Sequence, residues 1–66
     1  RAIEDFNAAL RIDPNYAAAY SNRGRAYYYK RMYDRAIEDY TAALRINPNY
    51  GFAEAYLEMA REARGY

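Results

Sequence analysis

YSNRGRAYYYKRMYDRAIEDYTAALRINP, residues 20–48, contains two helical patterns of similar length folded back across a short polar break at Arg31–Asp34. The second pattern, RAIEDYTAALRINPNY (residues 35–50), is already written once at the N-terminus as RAIEDFNAALRIDPNY (residues 1–16). The offset is 34 residues, and 13 of the 16 aligned positions are identical. The differences are Phe6 against Tyr40, Asn7 against Thr41 and Asp13 against Asn47. A period of that length, filled by two helices and a turn, predicts an all-α fold: an antiparallel helix-turn-helix solenoid of four helices.

Within the repeat counted from Ala17, small residues fall at Gly24, Ala36 and Ala43, aromatics at Tyr20, Tyr27 and Tyr40, and Pro48 closes the unit. This resembles a tetratricopeptide repeat, which carries an aromatic, a Leu-Gly pair, a Tyr, an Ala, an aromatic, an Ala and a closing Pro. Seven of those eight positions match. Arg23 stands where the family most often has Leu, and Arg31 where it often turns on Gly. The resemblance implies an offset arrangement in one domain: a second-half helix (1–16), a complete repeat (17–50) and a C-terminal capping helix (51–66).

The residue patterns give the helices individually. Ala2, Ile3, Phe6, Ala9 and Leu10 recur at helical spacing and predict an amphipathic helix over residues 1–12. Pro14 and Pro48 stop the first and third helices, because proline cannot continue a helix and pushes the preceding residue out of the helical region. Asp13 and Asn15 suit the first turn, as caps or turn residues. The second helix is expected over 16–30, with Ala19, Tyr20, Arg23, Gly24 and Tyr27 on its packing side. A glycine in mid-helix costs up to about 1 kcal/mol against alanine, so Gly24 predicts close approach of a neighbouring helix. Asp34 is expected to cap a third helix over 35–46, with Ala36, Ile37, Tyr40, Ala43 and Leu44 inward. The fourth, over 51–64, places Phe52, Ala53, Tyr56, Leu57, Ala60 and Ala63 on one side. Glu58 and Arg61 stand where the repeat carries Gly and Tyr, which fits a face that solvent rather than a further repeat covers.

Composition narrows the function. In 66 residues there is neither Cys nor His, which leaves disulfides, thiolate metal sites and imidazole chemistry without material. Neither a run of about 20 apolar residues nor a signal-peptide pattern is present, so no membrane partner is expected and the cytoplasm is the most compatible compartment. The net charge of +1 argues against general attraction to nucleic acid. Arg23, Arg25, Lys30 and Arg31 are interleaved with Tyr27, Tyr28 and Tyr29, but Arg23, Arg25 and Lys30 do not all share one helical face, so the cluster is read as solvated cations. Glu54, Glu58 and Glu62 line one strip as like charges and are read as a soluble face, with no metal or other cofactor expected. Ser21 and Thr41 have no activating partner and no phosphate-cradling Gly-rich loop exists, so the chain is not expected to be an enzyme.

The resemblance implies a protein-interaction scaffold whose first-half helices line a groove. By the family's pattern the groove residues are Ser21, Asn22, Arg25, Tyr28 and Tyr29 from the second helix, with Phe52, Tyr56 and Met59 from the fourth; Tyr28 and Tyr29 serve equally well as packing residues. Tyrosine faces beside one guanidinium suit a peptide or partner helix with apolar anchors and an acidic group. Asn22 stands at one position of the family's carboxylate clamp, but Phe52 and Tyr56 replace its Lys and Arg, which removes the clamp. The first helix lacks its first-half partner, so Ile3, Phe6 and Leu10 are covered on one side only. That leaves two alternatives: a piece of a longer array, or a natural or designed architectural unit that forms homo-oligomers through this face.

Overall fold

The computed structural model describes residues 1–65 and contains four α-helices: α1 (Ala2–Ile12), α2 (Ala17–Tyr29), α3 (Tyr33–Ile46) and α4 (Gly51–Arg64). They form the antiparallel helical solenoid that the 34-residue period predicts. Both proline turns are built alike. Asp13 and Asn47 adopt the same extended backbone, φ −134° and ψ 92°, as a residue before proline must. Each side chain then accepts from the backbone N–H two residues on: Asn15 N to Asp13 Oδ1 at 3.1 Å, and Asn49 N to Asn47 Oδ1 at 3.2 Å. These are Asx turns, in which the side chain closes the loop without a helix cap.

The α2–α3 reversal uses a different device. Arg31 lies in the left-handed region at φ 65°. Its N–H donates to Tyr28 O at 2.9 Å, and Met32 N donates to Tyr27 O at 2.9 Å. That pair of bonds is a Schellman ending, with arginine where glycine is the usual left-handed residue. The tight closure brings the chain back into helix by Tyr33, two residues earlier than the sequence pattern suggests. Asp34 is therefore not the cap: Met32 precedes the helix and supplies no side-chain cap bond. The Asp34 carboxylate instead accepts from Arg64 Nη1 at 2.9 Å, tying the start of α3 to the end of α4.

Helix α3 is the centre of the molecule. Ala36, Tyr40 and Ala43 are wholly buried and join Ala53, Leu57 and Ala60 of α4 in one apolar cluster, against which Tyr20, Tyr27 and Tyr28 of α2 pack. Gly24 has the close neighbour its position predicts: a Cβ there would lie 2.9 Å from Tyr40 Cε1. The absent side chain lets the ring lie against the α2 backbone, which offsets the helix-propensity cost of glycine. Helix α1 packs on α2 alone.

Three inward assignments need correction. Phe52 is 72% exposed and Ala63 is exposed, whereas Ala53, Leu57 and Ala60 are the α4 residues buried in the core and Tyr56 stacks at its edge on Tyr40. Ala2 is exposed, at the rim of a recess it shares with Ala26 and Lys30 of α2.

Candidate functional site

Helices α2 and α4 run on the same side of α3 and enclose a cleft of about 280 Å³ lined by Ser21, Asn22, Arg25, Tyr50, Phe52 and Tyr56. Its wall is layered. Tyr56 stacks on the buried Tyr40 ring, with centroids 5.7 Å apart and planes 15° from parallel, and the Arg25 guanidinium carbon lies 5.5 Å from the Tyr56 centroid. A ring held between a buried neighbour and a cation is fixed in orientation, so it can offer apolar area at little entropic cost. Phe52 stands at the rim with most of its surface in solvent.

Five of the eight groove residues named from the sequence thus meet in one cleft. Ser21 does so as part of the floor, since only 3% of it is exposed, and it cannot reach far into solvent. The other three lie outside the lining. Tyr28 is a packing residue: half-buried on the core, it meets Tyr29 and Tyr33 edge-on at 5.7 and 5.5 Å. Tyr29 is exposed beyond it, and Met59 is exposed farther along α4. Tyr50, which the sequence reading assigned no role, completes the lining from the turn before α4. Its repetition of Tyr16 in the Pro-Asn-Tyr turn was the available signal.

Behind this wall the Tyr40 hydroxyl is buried with no hydrogen-bond partner among the described residues. Burial pushes the phenol above its ordinary value, and the neighbouring Tyr56 adds to the shift.

A second recess, of about 470 Å³, lies among α1, α2 and α3 and contains none of the expected groove residues. Its central feature is Arg23. The guanidinium forks onto Asp39, with Nε to Oδ2 at 2.9 Å and Nη2 to Oδ1 at 2.7 Å, while Nη1 donates to Asn7 Oδ1 at 2.7 Å. The hydrogen bond to Asp39 raises the arginine above its ordinary value against the opposing effect of burial. The residue that departs from the family's Leu therefore joins three helices by polar contacts. Its repeat counterpart, Leu57, is buried and apolar.

Of the proposed association face, Leu10 is already buried by α2 within the single chain and is unavailable to a partner, whereas Ile3 and Phe6 are half-buried. Among the described residues no group of three or more His, Cys, Asp or Glu is placed to hold a metal ion, and no helix is long and apolar enough to cross a membrane.

Residues 17–50 match the family described as Tetratricopeptide repeat, and residues 1–31 match one described as TPR repeat. No curated protein matches the chain.

Proposed function

The chain belongs to the tetratricopeptide repeat family, whose members are typically non-catalytic scaffolds for protein–protein interaction, and from this we propose that the α2–α4 cleft is its peptide-binding site. The observation that supports the reading most is the Arg25–Tyr56–Tyr40 stack beside the exposed Phe52. A ligand suited to it is an extended or helical peptide with an aromatic or aliphatic anchor against Phe52 and Tyr56. A carboxylate one residue away would sit by Arg25, with Asn22 as a further polar contact. Helix α4 acts as the end of the array in this reading, because Glu58 and Arg61 keep its outer side hydrated.

The test is a titration of the folded chain with a peptide library, followed by amide chemical shifts. Bound sequences should share an acidic residue beside an apolar one and shift residues 21–25 and 50–56. Arg25→Glu should reverse the preference for acidic peptides, and Phe52→Ala should weaken all of them, with the helical fold intact since both side chains are exposed. Binding indifferent to both changes would sink this assignment.

A further inference from the structure

The recess around Arg23 and the α2–α4 cleft differ in what their polar groups have left to give. In the first, the guanidinium spends its donors on Asp39 and Asn7. In the cleft, the exposed side chains of Asn22 and Arg25 make no hydrogen bond or ion pair within the chain among the described residues. No carboxylate is among the described residues that line it. The cleft thus offers free N–H donors beside the rings of Tyr50, Phe52 and Tyr56, and no anion to accept from a ligand.

Peptide backbones differ in how well they meet that supply. A helix has already bonded its carbonyls internally. An ordinary extended segment brings an N–H with every carbonyl, and the cleft walls are helices with no open backbone edge to pair it, so burying those donors is penalised. Proline carries no N–H, and a polyproline II segment leaves its carbonyls unpaired along a preformed backbone. Its rings pack on aromatic faces that are already fixed, as Tyr56 is between Tyr40 and Arg25.

We propose, on the reading of this cleft as a peptide site, that its ligand is a proline-rich segment in the polyproline II conformation with an acidic residue beside the prolines. Asn22 donates to a backbone carbonyl, the proline rings lie against Phe52 and Tyr56, and Arg25 pairs with the carboxylate. The cleft is built from α2 and α4 with the Tyr40 ring of α3 behind it.

The probes are two fluorescent peptides, one of prolines around a single aspartate and one with alanine at every proline position. Each is titrated into the full chain by anisotropy, with amide chemical shifts to locate it. The proline peptide is expected to bind tighter by roughly tenfold or more and to shift residues 21–25 and 50–56. Asn22→Leu should shrink that ratio at unchanged helicity, since the exposed side chain loses its donors and keeps its bulk. Equal affinities with the same shifts, or saturable binding of other peptides at these residues without the proline peptide, would overturn the proline preference and leave the cleft a peptide site. If no peptide shifts these residues, the preference and the reading of the cleft both fall. A doubled solution mass that the proline peptide does not reduce, with those residues perturbed by dilution instead, would assign the cleft to a second copy and overturn both.

Discussion

Helices α1 and α3 share nearly the same sequence and differ in what surrounds them. Tyr40 is wholly buried where Phe6 is half-buried, Ala43 is buried where Ala9 is half-covered, and Asp39 is enclosed where Asp5 is largely in water. The apolar stripe of α3 is closed from two directions, by α2 and α4, and that of α1 from one. Equal sequences thus have unequal energetic roles, because burial free energy scales with the area removed from water and α1 has only one neighbour to remove it.

Making the same substitution at both members of a repeat pair measures this difference. The largest effect is expected at the aromatic pair. Tyr40→Ala should cost about 4 kcal/mol, as a fully enclosed aromatic leaves a cavity among Gly24, Tyr56 and the α4 alanines. A chain of this size has only a few kcal/mol of net stability, so the variant should be largely unfolded by circular dichroism at room temperature. Phe6→Ala should cost about half as much and leave a folded chain in urea titration. Equal losses would mean that α1 is covered in solution.

The acidic pair comes next. Asp39→Ala leaves the partly buried Arg23 with only Asn7 and should cost about 3 kcal/mol, whereas Asp5→Ala should change stability by less than about 0.5 kcal/mol. Replacing Arg23 and Asp39 together by leucine should recover most of the loss, since the apolar pair needs no mutual neutralisation.

One substitution at the aromatic pair has the opposite sign. Tyr40→Phe copies the residue that α1 already carries and removes a buried hydroxyl that has no partner, so it should stabilise the chain by about 1 kcal/mol. It also isolates one alkaline transition. The folded-state phenol is raised above its ordinary value of 10.0, so the unfolded chain loses that proton first. The protonated phenol's contribution is complete below about pH 10 and falls away as pH rises beyond it. Urea midpoints at neutral pH and above pH 10 should therefore drop farther for the wild type than for Tyr40→Phe.

Much of the architecture was legible from residue order. The two Asx-Pro-Asn turns lie where the prolines stand, because proline restricts its own backbone and its predecessor's wherever it occurs. Gly24 announced a close neighbour for the same local reason. The reversal at Arg31 was less legible: a non-glycine in the left-handed region is held there by bonds to Tyr27 and Tyr28 that no composition rule anticipates. The cleft was read in part, since helical spacing places Asn22, Arg25 and Tyr56 on one side but does not say that Tyr28 is drawn into the core while Tyr50 lines the opening.

By itself the sequence determined the helical period, the positions of the turns and the faces that carry apolar side chains, since these follow from backbone restriction and spacing within a few residues. Tertiary structure alone decided that Arg23 pairs with Asp39 and Asn7, sixteen residues away in each direction, that Asp34 turns to Arg64, and that α3 is enclosed where its near-copy α1 is half open. Those outcomes depend on which surfaces become neighbours after the helices stack, and nearly identical segments can acquire different neighbours.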